Sequence, residues 1–216
     1  MSVKFKFNRT AFLKRISAAA KEGNATGAAI LQREIVANLN RGNSNPLTGG
    51  SPSPAGQPPY KMWGALGRSI QWQDKNISAT HLKRIVGTKL KYAHIQEFGG
   101  RIVPVKARYL TIPLNADAVR MLRNTGGNLR SETLRVVKTS KGLFLVKDVA
   151  KGAKVTKGAK TSKAGGVVFL FILKKQVILP ARPFMRPALA KRRADIRKAQ
   201  LAPIKAVLAK YSRRAA

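Results

Sequence analysis

The side chains best suited to proton transfer near neutral pH are few in this chain: two histidines and eight carboxylates among 216 residues. One of each falls in KYAHIQEFGG, residues 91–100, where His94 and Glu97 stand three apart. On a helix that spacing puts both on one face, and an imidazole beside a carboxylate is the beginning of an acid–base pair. A working site also needs a nucleophile, an oxyanion-binding donor set or a metal. His81 lies in a polar turn, and Glu22, Glu34, Asp74, Asp117, Glu132, Asp148 and Asp195 are scattered singly, with no H-E-x-x-H pair. GALGRS and GNATGAA lack the G-K-[ST] end of a phosphate-binding loop, and there is no G-x-S-x-G nucleophile turn. The absence of cysteine removes thiolate nucleophiles, disulfides and cysteine-based zinc sites together. These residues therefore predict no catalytic site, no metal site and no cofactor. His94 and Glu97 are expected to be structural groups on a helix nearing its C-terminal cap.

The other chemistry the sequence offers is positive charge. Lys and Arg number 43 against 8 Asp and Glu, a net charge of +35. Self-repulsion at that charge destabilises an isolated compact chain, and a polyanion or an assembly bringing counter-charge relieves it. The order of expected partners is nucleic acid, then acidic protein surfaces, then membrane surfaces. RPALAKRRADIRKAQLAPIKAVLAKYSRR is the densest basic segment with helical periodicity, and Asp195 is its only acid. Leu189, Ile196, Ile204, Val207 and Tyr211 are expected to form its apolar stripe. Lys191, Arg192, Arg193, Arg197 and Lys198 are the candidate contacts to DNA or to an acidic partner. No zinc finger, aromatic RNA-binding octet or heptad zipper is present, so contact with DNA would not read bases. A second basic segment, 150–166, spaces Lys151, Lys154, Lys157, Lys160 and Lys163 by threes among Gly, Ala and Thr. It reads either as a cationic arm or as a soluble linker.

The elements that position these residues follow from periodicity. A helix is predicted over 9–20 and another over 24–40, capped by Asn24 or Thr26 and carrying Ile30, Leu31, Ile35, Val36 and Leu39 on one face. Gly and Pro then crowd RGNSNPLTGGSPSPAGQPP, a long mobile loop at about 41–59. A short helix is expected over 61–69, strands over 70–76 and 82–88, and a helix in KYAHIQEF ended by glycine with positive φ at Gly99 or Gly100. RYLTIPL, 108–114, reads as a strand, and Asn115 as the cap of a helix through ADAVRMLRNTG. Residues 134–149 read as a hairpin turning at KTSKG. Segment 150–166 reads as flexible, and VVFLFILKKQV as a buried strand too short to cross a bilayer. The last helix, 184–212, starts among Pro183 and Pro187 and is expected to kink or break at Pro203. The basic N-terminus has no long apolar run, so no signal peptide is read. The fold class is α+β: one domain over 1–216, with a mostly antiparallel sheet packed with N-terminal and C-terminal helices and long mobile loops at about 41–59 and 150–166.

Four pieces, in order, resemble the tail-completion (neck) proteins of long-tailed bacteriophages, the minor tail protein Z type and related virion morphogenesis proteins. They are PPYKMWGALGRSI, IVGTKLKYAHIQEFGG, ARYLTIPL and LPARPFMRPAL, covering about 58–114 and 180–190. The family patterns they resemble are P-x-x-T-G-x-L-x-x-S-I, V-G-x-x-x-x-Y-A-x-x-x-E-F-G, the strand after it, and P-x-R-P-F-M/L entering a C-terminal helix. MWGAL departs from the Thr-Gly step, and 115–179 matches only loosely. The resemblance implies a non-enzymatic virion protein of the neck, acting in tail completion and head–tail joining. It implies a homo-oligomeric ring, a hexamer, around the channel through which double-stranded DNA passes. The neighbours would be the head-completion (stopper) and tail-terminator proteins, with no membrane partner, in the virion and, during assembly, in the host cytoplasm. Under this resemblance Tyr92, Glu97, Phe98, Gly99, Arg182, Pro183 and Phe184 form a structural corner or subunit contact. Tyr92, Ile95 and Phe98 would pack inward, Gly99 would turn the chain, and Glu97 would hold a nearby backbone or basic group or a neighbouring subunit. The competing reading is a free-standing nucleic-acid-binding protein without sequence preference.

Overall fold

The computed structural model describes residues 8–45, 50–75, 83–149 and 166–212. His81 and residues 150–165, with the lysines spaced by threes, lie outside the described residues, as do residues 46–49 of the first expected loop.

The chain opens with one continuous helix, α1, Arg9–Leu39, in place of the two helices expected over 9–20 and 24–40. Its N-cap is Asn8, whose side chain accepts from the Ala11 amide at 3.0 Å. Asn24 and Thr26 cap nothing: the Asn24 carbonyl oxygen accepts from Gln200 Nε2 at 2.9 Å, and the Thr26 hydroxyl donates to the Glu22 carbonyl. What looked like a helix boundary is a tertiary crossing. A Cβ on Gly23 would stand 2.5 Å from the carbonyl oxygen of Gln200, so glycine lets the C-terminal helix α5, Met185–Ser212, approach backbone to backbone.

α5 runs antiparallel to α1 along nearly its whole length. Asn38 meets Phe184, Glu34 meets Lys191 and Arg192, Gly27 meets Ile196, and Phe12 stacks edge-on to Tyr211 with ring centroids 4.8 Å apart. The expected break at Pro203 does not occur, and the helix runs through it. Pro203 forfeits one backbone amide without ending the helix. Leu189 is exposed rather than in the apolar stripe; the face turned to α1 starts from Ala188 and includes Arg192.

The helix pair frames the first core. Ile35, Leu39, Ile70, Ala93, Phe184 and Ala188 are buried together, with Leu31, Leu66, Val86 and Met185 packed against them. The short helix α2 spans only Ala65–Arg68, less than the expected 61–69, because Gly64 enters it at φ 74°. Strands β1, Gln71–Lys75, and β2, Lys83–Gly87, pair antiparallel with Gln71 opposite Gly87. Helix α3, Tyr92–Phe98, ends at Gly99 with φ 71°, the positive φ foreseen.

A second core is built by the middle of the chain. Strands β4 (Leu110–Pro113), β5 (Arg135–Thr139), β6 (Gly142–Asp148) and β7 (Val167–Lys174) form an antiparallel sheet ordered β4-β7-β6-β5. Helix α4, Ala116–Asn124, packs Ala118 with Val168, Leu170 and Phe171. Its cap is Asn115 as expected, accepting from the Ala118 amide at 2.9 Å while its amide donates to the Phe169 carbonyl at 2.9 Å. The β6–β7 register shifts beside Leu170, so Leu170 and Phe171, adjacent in sequence, are both buried. β3 (Gly100–Ile102) and β8 (Val177–Leu179) pair as a two-stranded ribbon. The sheet is thus an excursion of the chain that leaves and returns through that ribbon. Every pairing among β1 to β8 is antiparallel, and helices from both ends of the chain pack beside the sheets, so the molecule is α+β.

Within the expected loop 41–59, the described residues are tied to the rest of the molecule. Ser44 donates its amide to the Lys61 carbonyl, the Gly56 amide reaches the Ala181 carbonyl at 2.9 Å, and Arg182 Nε reaches the Ser53 carbonyl at 3.0 Å. Among the described residues no helix is long and apolar enough to cross a membrane.

Candidate functional site

The corner at α3 joins two segments 87 residues apart in sequence. Glu97 is buried, with 3% of its surface exposed, and points at the start of α5. Its carboxylate accepts from the amides of Phe184 at 2.7 Å, Met185 at 2.9 Å and Arg186 at 3.0 Å, and from Arg186 Nε at 3.2 Å. The first amides of a helix have no partner within it. Here Glu97 takes three of them, and Pro187, next in line, has none to offer. The helix therefore starts on a carboxylate supplied from another helix, favoured further by the positive end of the helix dipole. Burial alone would raise the Glu97 pKa, but the backbone amides of Met185, Phe184 and Arg186 and the Arg186 guanidinium outweigh it and hold the carboxyl below its ordinary range.

Around this contact stand the other residues expected at the corner. Phe184 is fully buried, and the Arg182 amide donates to the Gln96 carbonyl at 2.7 Å. Pro183 separates them and fixes the chain direction into α5. A Cβ on Gly99 would stand 2.7 Å from the Ala181 amide nitrogen, which adds a steric reason for glycine to its positive φ. The expectation that Tyr92 and Phe98 pack inward is overturned: they are 45% and 55% exposed. The inward residues are Ala93 and Glu97, four apart, because the carboxylate itself is what the core side of α3 delivers to α5. Phe98 instead lies under the Arg186 guanidinium, 4.8 Å from its ring centroid, and beside the exposed His94 ring at 4.9 Å. His94 thus stands exposed against Phe98 while the buried Glu97 carboxylate is committed to α5, and no hydrogen bond joins the two.

The basic face of α5 divides in two. Glu34 of α1, buried with 6% exposed, accepts from Lys191 Nζ at 2.7 Å and Arg192 Nε at 2.8 Å. Arg192 also reaches Asp195 at 3.0 Å. The hydrogen bonds from Lys191 and Arg192 hold the Glu34 carboxyl below its ordinary range, and those from Glu34 and Asp195 raise Arg192. Two cations and two anions thus close a neutral tie between the helices. Arg193, Arg197 and Lys198 are exposed and have no hydrogen-bond or ion-pair partner among the described residues, and Lys205 shares that state.

Glu34 and Arg186 escaped sequence reasoning. Glu34 stands next to Ile35 in the apolar run, an acid placed against a core, which is the signal that could have marked it. Its partners lie 157 and 158 residues away, beyond any local pattern.

A groove of about 450 Å³ opens beside the corner, lined by Tyr60, Met62, Trp63, Leu66 and Tyr92, with Arg182 and Lys61 among its charged groups. Among the described residues, no three His, Cys, Asp or Glu gather as metal ligands would. No protein-family model matches this chain, and neither a curated protein nor a solved structure is significantly similar to it.

Proposed function

We propose that this chain is a structural virion protein of the phage neck, acting in tail completion and head–tail joining as a ring around the DNA channel. One observation carries the reading. The two most distinctive pieces of the sequence resemblance, YAHIQEFGG and LPARPFMRPAL, meet in one hydrogen-bonded corner through Glu97. Motif residues that depend on one another in space are what a shared structural role requires. The charge supports the same reading, because a ring around a duplex gains sequence-independent attraction from every subunit. Apolar side chains left exposed near the ribbon, Val103, Val105 and Ile178, with Phe98 and Tyr92 on α3, suit contacts with neighbouring subunits.

The test is mass spectrometry of purified tailed particles encoded by the same genome, with electron microscopy of their head–tail junction. This chain is expected in the particles, as a ring of six copies between head and tail. Its absence from them overturns the reading and leaves the free nucleic-acid-binding protein as the better account of the basic α5.

A further inference from the structure

Counter-charge inside the molecule is nearly used up. Glu34, Asp74, Glu97, Asp117, Glu132, Asp148 and Asp195 each have a basic partner within 4 Å. The cations left over must find anions elsewhere. On α5 the division is sharp: Lys191 and Arg192 are spent on Glu34, and Arg186 on Glu97. Arg193, Arg197, Lys198 and Lys205 stand exposed on the same helix with no partner among the described residues.

We infer that these four side chains are the phosphate-contacting face of the protein and that their ligand is the backbone of double-stranded DNA. Residues 193 to 205 span about 18 Å of helix. A duplex carries one charge per ~1.7 Å of axis, so about ten phosphates lie along that length. The helix offering them is anchored ahead of the stretch and within it. Glu97 anchors its first turn, the Glu34 tie anchors its second, and Gly23 against Gln200 locks its middle to α1. With the backbone already fixed, only side-chain freedom is lost when these cations meet phosphates. Contacts of this kind position the backbone and read no sequence. The set differs from the five residues picked from sequence: it keeps Arg193, Arg197 and Lys198, adds Lys205 and removes Lys191 and Arg192. The choice of duplex DNA as ligand rests on the neck reading.

The experiment is fluorescence anisotropy of the full chain with a mixed-sequence 25-base-pair duplex, titrated at several salt concentrations. One variant carries Arg193→Ala, Arg197→Ala, Lys198→Ala and Lys205→Ala. A control removes the same charge from the sheet: Lys138→Ala, Lys141→Ala, Lys174→Ala and Lys175→Ala, all exposed. Circular dichroism melts verify that both variants fold. The helix variant is expected to lower the slope of log K against log salt by about 2 to 4 and to weaken binding at least ~10-fold near 0.1 M salt, since each phosphate contact contributes ~0.9 to that slope. The sheet variant should stay within about half a unit of wild type. Equal losses in the two variants would overturn the inference in favour of bulk charge. No loss in the helix variant, or no salt-dependent binding by wild type, would overturn it as well, the latter leaving the face to an acidic protein. Its outcome is separable from the neck reading: particles containing the ring, with an α5 face inert toward DNA, sink this inference alone. Absence of the chain from particles sinks the neck reading, whatever the anisotropy shows.

Discussion

Glu97 holds the joint between α3 and α5, where one carboxylate satisfies three backbone amides and a guanidinium. Glu97→Ala leaves those amides buried without an acceptor. It is expected to destabilise the fold by about 3–5 kcal/mol, read from chemical denaturation. Glu97→Gln keeps the shape, loses the charge, and should fall between alanine and wild type. Acid probes the same bond with a definite sign. The Glu97 and Glu34 carboxyls are both held below their ordinary values in the folded chain. The stability they contribute is therefore complete above the ordinary carboxylate pKa of ~4.3, and is lost as pH falls through the depressed folded values. A melt series from pH 7 to pH 2 should be flat down to about pH 5 and drop below it. In Glu97→Gln the drop should shrink. An equal drop in variant and wild type would exclude Glu97 as a source of acid sensitivity.

At the scale of elements, α1 against α5 decides the architecture, and its closest point is Gly23. A methyl there meets the Gln200 backbone at 2.5 Å, whereas on Gly27 it meets the Cγ2 methyl of Ile196 at 3.2 Å. Neither glycine has positive φ, so replacing either gains ~1 kcal/mol of helix propensity. For Gly23→Ala the backbone clash wins, with an expected net loss of about 1–3 kcal/mol. For Gly27→Ala the contact asks Ile196 to give by only a few tenths of an ångström, which sets a small strain against the propensity gain, and the net change should lie within about 1 kcal/mol of zero. Thermal melts of the two variants settle the comparison. The same crossing shows where sequence reading succeeds and fails. Strands β1, β2 and β4, the β5–β6 hairpin, the Asn115 cap and the Gly99 turn were legible, because alternation, turn residues and caps are local signals. The unity of α1 was not, since Gly23, Asn24 and Thr26 imitate a helix end when their real partner, Gln200, is 176 residues away from Asn24. The bulge at Leu170 was hidden because VVFLFIL is apolar throughout and displays no alternation to interrupt. The basic set on α5 was legible by type but not by commitment, because only the fold reveals that Glu34 occupies Lys191 and Arg192.

For the molecule as a whole, two electrostatic effects oppose each other when salt is added. Screening weakens the ties of Glu34 and Glu97, which favour folding, and also weakens the repulsion among 43 basic side chains, which disfavours it. The ties are short, directional and attached to buried carboxylates, so salt reaches them poorly. The unpaired cations are on the surface, where the Debye length shrinks from about 30 Å at 0.01 M to ~10 Å at 0.1 M, and their mutual repulsion falls with it. With seven acids already paired, repulsion within the surplus of +35 responds to salt more strongly than the ties do. The melting temperature of the isolated chain should therefore rise with salt, by several degrees between 0.02 and 0.5 M sodium chloride. For a chain of this size about 1 kcal/mol corresponds to ~2–4 °C. A polyanion such as polyphosphate at equal ionic strength should raise it further, because it binds the folded chain's organised cationic surface more tightly than the dispersed unfolded one. Differential scanning calorimetry reads both. A melting temperature that falls with salt would mean that the interior ion pairs outweigh the surface repulsion, and the case for an external counter-charge would lose its energetic basis.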